Sequence, residues 1–350
     1  MTRSGGLESG RVFVTEARGC VTLQDGGRHG LQRVGVGVGG AMDPHAAELA
    51  NLLAGNPGEG VLFELDGSSR LALRCEMVTG LALAGPAVPV RLDDHPVPFW
   101  ARIETNPSQS FTIRIEAELE TGRWRYLALS GGCRLTPVLG GFGTDLRAGW
   151  GGMEGRVLRS GDRMTLGATP GRPVAYSGRA GFRILGQLSP QLRAPSVTQA
   201  PVLRILPGSH WSAFPPEIRQ RFLAAHYLVT KNSDRMGYRL SGPPLHPDRP
   251  LEIDSEPVTF GSIQIPPDGA PIVLMADHPT QGGYPRLAEI IGTDVGTLAQ
   301  CRPGVKVEFR EVDEQTALQA RREWRRSLAR LGVGLGSGER DSFRGAALHA

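Results

Sequence analysis

Polar residues with the chemistry of a binding site follow one strongly apolar segment in the C-terminal half of the sequence. Asp277 and Thr280 come after the apolar run 272–276, and the pair Gly282 and Gly283 follows them. Polar groups at a strand end, next to flexible glycines, are typical of a small-molecule site. A single aspartate in such a place is equally typical of a cap or a turn. The spacing alone leaves both interpretations open.

Two segments upstream of this block carry further candidates. Residues 234–239 read Asp-Arg-Met-Gly-Tyr-Arg, and residues 261–269 read Gly-Ser-Ile-Gln-Ile-Pro-Pro-Asp-Gly. Arg235 offers a cation and Gln264 an amide, and both groups can orient a polar ligand. The run Pro-Pro-Asp-Gly is also ordinary turn chemistry that joins two strands.

A glycine-rich block near the N-terminus, residues 22–40, leads into a clear helix start. It contains Asp25 and Arg28. Glycine amides that precede a helix can bind an anion. The alternative is a turn-rich connection between strands that ends at an ordinary capped helix.

A second glycine-rich block spans residues 137–156. Such a density of glycine brings the backbone close to a ligand or to a neighbouring wall of strands. Arg147, Glu154 and Arg156 either bind an anion there or pair with one another.

Several familiar catalytic motifs are absent from the sequence. There is no G-x-x-x-x-G-K-[ST] phosphate loop, no H-E-x-x-H metal motif and no G-x-S-x-G nucleophile motif. No lysine stands in the Met-Lys-Met context of a biotin carrier, so we expect no covalent biotin on this chain. Motifs alone do not predict a free-standing enzyme.

Short β-strands must position most of these residues. Alternating apolar residues, as at Phe111, Ile113 and Ile115, predict half-buried strands in two regions, 11–167 and 202–312. The looser stretch 172–201 lies between them. We therefore predict an N-terminal domain over 11–185, a C-terminal domain over 200–312, and a separate C-terminal segment over 313–350.

Three helices interrupt the strands. The first is predicted to begin at Pro44 with Asp43 as its N-cap and to stop at Gly55. A second covers about 215–226. The third, basic and helical in propensity, covers 314–331, and the residues after it are predicted to be disordered. This last helix packs on its own domain, docks a partner subunit, or remains a solvated tail.

The composition is that of a soluble globular protein. Of 350 residues, 40% are hydrophobic and 21% charged, with no uncharged apolar run long enough for a membrane span and no secretory h-region. The pI is about 9.1, but the net charge is only +4 and acids alternate with bases, which argues against a nucleic-acid partner. The four cysteines are widely spaced, which argues against zinc or disulfides and favours a cytoplasmic location.

Five blocks of the sequence, in order, resemble the family of 5-oxoprolinase C-type subunits. This family is also known as allophanate hydrolase subunit 2 or biotin-dependent carboxyltransferase-like, and it includes an antagonist of a sporulation-kinase inhibitor. The resemblance spans roughly residues 20 to 310. The motifs that carry it are TLQDGGRHG at 22–30, GAMDPHAAELANLLAGN at 40–56, RMGYRL at 235–240, IQIPPDGAPIVL at 263–274 and D-x-x-T-x-GGYP at 277–285.

The resemblance implies a mainly β fold made of two tandem cyclophilin-like β-barrel domains with a few short helices. It also implies partners, namely a B-type subunit of related fold and an A-type subunit. Together such subunits hydrolyse 5-oxo-L-proline to L-glutamate at the expense of ATP. We expect ATP, with Mg²⁺, to be bound by the complex, and the substrate to be a small lactam or amide.

This reaction suggests roles for the candidate residues. Phosphorylation of the lactam oxygen would need cations or N–H groups against the phosphoryl charge. We expect Arg235 and the backbone of 282–283 to hold an anionic group. Asp277 and Gln264 would orient the substrate amide or a metal-bound water, with Tyr284 as a wall. Thr280, Asp25 and Arg28 complete the predicted substrate site.

Two other functions fit the same resemblance. One is a carboxyltransferase-type subunit of a urea carboxylase or allophanate hydrolase-like system. The other is a non-catalytic regulator that binds a kinase-inhibitor partner. The chain also departs from the family pattern at Asp234, where asparagine is usual. If that side chain faces the ligand, substrate preference should differ, because aspartate adds charge and removes two N–H donors.

Overall fold

The computed structural model describes residues 9–117, 122–167, 181–188, 200–247, 251 and 253–336. Within these residues the chain forms 21 strands and four α-helices. The expected mainly β fold with a few helices is confirmed. Among the described helices, none is both long and apolar enough to cross a membrane.

Two six-stranded antiparallel sheets form the N-terminal half. Their strands are β1 (Arg11–Arg18), β2 (Val21–Gln24), β3 (Leu62–Asp66), β4 (Arg70–Glu76), β5 (Gly80–Ala84), β6 (Val90–Leu92), β7 (His95–Pro96), β8 (Ala101–Thr105), β9 (Phe111–Ile115), β10 (Trp124–Leu129), β11 (Arg163–Thr165) and β12 (Phe182–Gln187). One sheet has the order β11-β1-β4-β9-β6-β7 and the other β12-β8-β5-β10-β3-β2.

The apolar stretch 71–85 is not one strand. It splits into β4 and β5, which belong to different sheets. The chain turns between them near Met77, whose φ of 57° lies in the left-handed region. Every residue of β5 and β10 is buried, so these two strands form the inner layer of the N-terminal half.

Helix α1 (Pro44–Ala54) covers this inner layer and has the predicted limits. The carboxylate of Asp43 accepts the N–H of Ala46 at 3.1 Å, and Gly55 ends the helix with a φ of 82°. The helix packs against β5 and β10. Its N-terminus, with Asp43, therefore points towards the centre of the molecule.

A closed seven-stranded barrel forms the C-terminal half, with the order β13-β20-β17-β18-β15-β14-β21. Its elements are β13 (Val202–Pro207), α2 (Pro216–Ala224), β14 (Tyr227–Val229), β15 (Gly237–Ser241), β16 (Glu256–Pro257), β17 (Ser262–Gln264), β18 (Ile272–Leu274), β19 (Gln281–Gly282), β20 (Arg286–Ile290), α3 (Val295–Ala299) and β21 (Lys306–Glu311). A parallel pair, β13 with β21, closes the barrel, and β16 and β19 form a separate two-stranded ribbon.

The last helix, α4 (Glu314–Gly336), returns to the N-terminal half. The predicted helix over 314–331 is confirmed, but the prediction of disorder is wrong for 332–336, which continue the helix. Residues 337–350 lie outside the described part of the chain. Trp324 of α4 packs on His45 of α1 with ring centroids 4.2 Å apart, and Leu328 and Leu331 are buried. Of the three interpretations of this helix, packing on its own domain is therefore incomplete, because α4 also contacts α1 of the N-terminal half.

The two halves are joined by buried polar contacts. The indole N–H of Trp124 donates to the hydroxyl of Tyr238 at 3.1 Å, and the backbone N–H of Trp124 donates to Gln300 at 2.9 Å. The predicted domain limits, 11–185 and 200–312, stay predictions, because most of the proposed linker, including 189–199, lies outside the described residues.

Candidate functional site

Arg235 lies at the centre of a buried ion network between the two halves. Its Nε and Nη2 donate to the two carboxylate oxygens of Asp277 at 2.7 and 2.8 Å, which makes a two-point pair. Its Nη1 donates to Glu64 of β3, and its Nη2 also donates to the carbonyl of Gly40 at 2.7 Å. All three guanidinium nitrogens are occupied. Four of the five N–H groups of Arg235 are thus used, which fixes Asp277 and leaves one N–H of Nη1 without a hydrogen-bond partner among the described residues.

Two carboxylates share this one guanidinium, so the network carries excess negative charge. Burial raises the pKa of the fully buried Glu64, while Arg235, the N–H of Met42 and the hydroxyl of Tyr126 act in the opposite direction. Burial by itself would lower the pKa of Arg235, but Glu64 and Asp277 outweigh it and raise that pKa. Arg235 is therefore a permanent cation.

The network continues across the interface from Glu64. The hydroxyl of Tyr126 donates to Glu64 at 3.0 Å and accepts the backbone N–H of Asp43 at 2.7 Å. The amide of Gln300 then donates to the carboxylate of Asp43 at 2.8 Å. The start of α1 and the end of α3 are thus tied to the same group of charges.

Glu64 is a candidate functional residue that sequence reasoning missed. The sequence does hold a signal for it, because it is the one charged residue in the apolar run 61–65. An acid in a strand with both faces buried needs a partner. That partner, Arg235, is 171 residues away in the sequence.

Asp25 fastens the two N-terminal glycine-rich blocks together. One oxygen of its carboxylate accepts the N–H of Gly27 at 3.0 Å, and the other accepts the N–H of Phe142 at 2.6 Å. Both oxygens thus bind backbone, and only 8% of the residue is exposed. In this state Asp25 orders the loops around the site, and its predicted contact with substrate stays a prediction.

Arg28 has a similar anchoring role with one nitrogen left over. Its Nε donates to the carbonyl of Val138 at 3.0 Å and its Nη2 to that of Gly143 at 2.6 Å. A Cβ built on Gly39 would lie 3.7 Å from Nη1 of Arg28 and 3.8 Å from Oδ1 of Asp277. A hydrogen-bond donor and an acceptor therefore both lie close to Gly39. In the described part of the chain the partners of the buried Arg28 are backbone carbonyls, and it makes no ion pair within 4 Å.

The other predicted residues form a neighbouring group around the β16–β19 ribbon. Gln264 is buried, and its amide donates to the carbonyl of Tyr284 at 3.2 Å. Tyr284 is 44% exposed, and the carbonyl of Thr280 accepts a backbone bond within the ribbon. Among the described contacts, no hydrogen bond joins this group to the ion network. Gly282 and Gly283 lie in the same turn, and their predicted role as anion binders stays a prediction.

Lack of space for a side chain explains why residue 282 is a glycine, and this explanation can be tested. A Cβ at Gly282 would overlap the amide nitrogen of the buried Gln264, whereas a Cβ at Gly283 would meet nothing nearer than Ser255 Oγ at 3.8 Å. We expect Gly282→Ala to lower the free energy of unfolding by about 1–3 kcal/mol through overpacking. Gly283→Ala, the matched control, should change it by less than about 0.5 kcal/mol. Urea unfolding of both variants measures this, and equal effects would contradict the steric explanation.

His278 is a second residue that sequence reasoning missed. Its Nδ1 lies 2.6 Å from the carbonyl oxygen of Pro279. Since a carbonyl only accepts, Nδ1 carries the proton and Nε2 is left as an acceptor in the neutral ring. Burial lowers the pKa of His278, which favours this neutral form. Its place next to Asp277 is the signal that the sequence offers.

A cleft of about 820 Å³ lies beside the ion network and has Gly39 in its lining. It is bordered by α1, α4, Gly39 and His278. Of the nine predicted site residues, only Asp25 borders it. The ion network and the cleft are therefore neighbours that share the segment 35–40. Within the described residues, no group of three or more His, Cys, Asp or Glu side chains is arranged to hold a metal ion.

The charged residues of the second glycine-rich block pair within the protein. Arg156 makes a two-point pair with Asp162 at 2.8 and 2.9 Å, and Glu154 lies 3.9 Å from it. Arg156, by donating to Asp162, lowers the pKa of that carboxyl. Arg147 is exposed, with a long contact of 3.8 Å to the sulfur of Met236. Of the two open interpretations, the structural ion pair is the one seen for Arg156.

Asp234 does not face the predicted site. Its Oδ1 accepts the backbone N–H groups of Met236 and Gly237 at 2.8 and 3.2 Å, which makes an Asx turn before β15. The side-chain oxygen of an asparagine would accept the same bonds. Aspartate in place of the usual asparagine at position 234 therefore preserves the turn.

Most of the length of this chain matches a known family and known proteins. A family model described as carboxyltransferase domain, subdomain A and B, matches residues 34–311. The protein of Haemophilus influenzae that is named as the C subunit of 5-oxoprolinase is 34% identical over 312 residues, which is 89% of this chain and 94% of that protein. Its namesake in Escherichia coli is 34% identical over 310 residues, with the same two shares.

Solved structures give the same result for the fold. The crystal structure of the K. lactis urea amidolyase matches 92% of this chain with a TM-score of 0.78 and 24% identity, but the match covers only 20% of that protein. This likeness shows the architecture and no more. On the extent of the family match and the identity to full-length relatives, the chain belongs to the family of carboxyltransferase domains, subdomains A and B, together with the proteins named as C subunits of 5-oxoprolinase.

Proposed function

We propose that this chain is the C-type subunit of an ATP-dependent 5-oxoprolinase complex, in which it works with A-type and B-type subunits to hydrolyse 5-oxo-L-proline to L-glutamate. The observation that carries the proposal is the 34% identity over 94% of the length of proteins that bear this name. Because the match spans nearly the whole of those proteins, their name supports the proposal more directly than that of the much longer urea amidolyase. Little or no activity is expected from the chain alone.

A donor and an acceptor close to the same point, as found near Gly39, suit a lactam. A five-membered ring forces its amide to be cis, so its N–H and C=O lie on the same edge. Such an edge requires one acceptor and one donor side by side. Asp277 Oδ1 would accept the lactam N–H, and Arg28 Nη1 would donate to the lactam oxygen. Both atoms lie within 4 Å of the position of a Cβ on Gly39.

The same pair fits the charge that develops during the reaction. Transfer of the γ-phosphoryl group of ATP to the lactam oxygen, with release of ADP and the N–H proton, makes the ring carbon more electrophilic. Water adds to that carbon, the C–N bond breaks as the nitrogen takes up a proton, and a second water hydrolyses the resulting acyl phosphate to glutamate and phosphate. Arg28 is a buried cation next to the lactam oxygen, and preorganised cations of this kind stabilise developing charge. Arg235, held by Glu64, binds both carboxylate oxygens of Asp277 and so fixes the orientation of that side chain towards the lactam nitrogen.

We infer that ATP and its Mg²⁺ are bound by the assembled complex. On this chain the free Nη1 of Arg28 is a group that fits a phosphoryl oxygen. The described residues offer no carboxylate cluster suited to Mg²⁺, so we assign its ligands to the nucleotide phosphates, water and the other subunits.

A reconstituted complex tests the proposal. The chain is purified with its A-type and B-type partners, and glutamate release from 5-oxo-L-proline is measured with and without ATP. We expect turnover that needs all three chains and ATP. A well-formed complex without turnover would remove the enzyme proposal and favour the regulator.

A second candidate function follows from the family description. The matched model is named for carboxyltransferases, so the chain could serve in a urea carboxylase-like system. The same reconstituted complex, supplied with urea, bicarbonate, ATP and a biotin carrier, distinguishes the two. Turnover of urea without turnover of 5-oxo-L-proline would favour this alternative.

A further inference from the structure

The cleft between α1 and α4 has a wall that the family pattern does not explain. The wall consists of residues from α4, which lies beyond the matched region 34–311. These residues are Glu314, Ala317, Leu318, Arg321, Trp324 and Arg325. Arg235, Asp277 and Glu64 of the ion network are not among the residues that line the cleft, so its occupant need not be the lactam.

This wall is held in place by contacts of its own. Trp324 packs on His45 of α1, and the next turns of α4 bury Leu328 and Leu331. The cleft of about 820 Å³ is therefore already formed, and its size lies in the range of about 300–1,000 Å³ typical of small-molecule sites. A preformed site loses less free energy on binding than one that must be ordered.

The lining of the cleft carries charges of both signs. Glu48 of α1 and Glu59 are acids, and Arg321 and Arg325 of α4 are cations. The further acids of the lining are Asp25, Glu289 and Glu314. Glu48 is half-buried, and burial raises the pKa of its carboxyl, while a hydrogen bond with the side chain of Trp324 and the charge of Arg325 lower it. Among the described residues, no ion pair within 4 Å joins these acids to these arginines. Both signs of charge thus remain available to a ligand.

Between these charged residues the lining is largely apolar. It includes Leu62, Phe260, Ala276 and Ile291, which come from both halves of the chain. A ligand that satisfies all three features needs an ammonium group, a carboxylate and an apolar body between or beside them. A nucleotide fits less well, because its phosphates can pair with Arg321 and Arg325 but it offers no ammonium group to Glu48 and Glu59.

We propose that this cleft binds a zwitterionic amino acid or dipeptide with an apolar side chain. Its ammonium group faces Glu48 and Glu59, and its carboxylate faces Arg321 and Arg325. Free amino acids and dipeptides share this chemistry and differ in the distance between the two charges. The site is independent of the proposed hydrolysis, although its occupant would touch Gly39 and His278, next to the ion network.

Calorimetric titration of the full chain tests the proposal directly. The ligands are L-leucine and L-leucyl-L-leucine, and the better binder identifies the source. L-leucinamide lacks the carboxylate and 4-methylpentanoate lacks the ammonium group, so we expect each to bind about tenfold or more weakly than L-leucine. Absence of binding by both zwitterions at millimolar concentration would overturn the proposal, as would binding of either truncated analogue as tight as that of L-leucine.

Matched variants on the same helix place the site. R321Q/R325Q removes the two arginines that border the cleft, and R322Q/R326Q removes two that do not border it. We expect the first double variant and Glu48→Gln each to weaken binding by about tenfold or more, and the second to change it by less than about twofold. All of these side chains are exposed or half-buried, so folding should be preserved. Equal effects of the two double variants would overturn the proposed site.

Discussion

Arg235→Met is expected to lower the free energy of unfolding by about 3–5 kcal/mol. The reason is what the substitution leaves behind. Glu64 has no exposed surface and Asp277 is largely buried, and both would lose the cation that they share. A buried charge without a partner costs several kcal/mol, far more than the loss of an exposed ion pair. Urea unfolding followed by circular dichroism measures the change.

Two further variants distinguish the cost of leaving a buried charge without a partner from the cost of losing side-chain packing. Arg147→Met removes an exposed arginine that makes no ion pair in the described part of the chain, and it should change stability by less than about 0.5 kcal/mol. Adding Glu64→Gln and Asp277→Asn to Arg235→Met should recover much of the loss, because no charge is then left buried. If Arg235→Met alone costs less than about 1 kcal/mol, the network is not the structural centre inferred above.

Asp277→Asn is expected to lower kcat of the reconstituted complex by about 10²–10³-fold. The substitution keeps the shape of the side chain but removes the charge that would accept the lactam N–H. It also replaces one acceptor oxygen by a donor that faces the guanidinium of Arg235. Steady-state release of glutamate measures the effect, and copurification with the A-type and B-type partners shows whether assembly is preserved.

Asp234→Asn is the matched control for this variant. It makes the same chemical change in the same part of the chain, but the asparagine oxygen still accepts the bonds of the turn at Met236 and Gly237. We expect activity within about twofold of the unmodified chain. Equal losses in the two variants would show that the effect of Asp277→Asn is not specific to the site. Full activity of Asp277→Asn would remove Asp277 from the proposed mechanism.

Local chemistry explains which parts of the fold the sequence predicts. Helix α1 is predictable with its limits because Asp43, Pro44 and Gly55 act within a few residues of one another. Alternation of apolar residues likewise predicts the half-buried strand β9. The break at Met77 is not predicted, because both flanking segments are apolar and no proline or asparagine marks the turn.

The candidate site is predictable only in part, because its partners are far apart in the sequence. Arg235 and Asp277 belong to one block of candidates, and they do lie together. Their third partner, Glu64, belongs to the other half of the chain, and no local pattern indicates that pairing. Arg28 is predicted as a substrate contact, but its bonds to the second glycine-rich block cannot be foreseen from either block alone. The packing of α4 on α1 is long-range in the same way.

The position of α4 has a consequence for the order in which the protein is made. Helix α1 ends at Ala54, and the helix that covers part of it begins only at Glu314. At about 5–20 residues per second, a ribosome needs on the order of tens of seconds to synthesise the chain between them. Until residue 235 is made, the N-terminal half lacks Arg235 for its buried Glu64, and until residue 324 is made it lacks Trp324 against His45. The nascent N-terminal half is therefore expected to be the stage most exposed to aggregation and most dependent on chaperones.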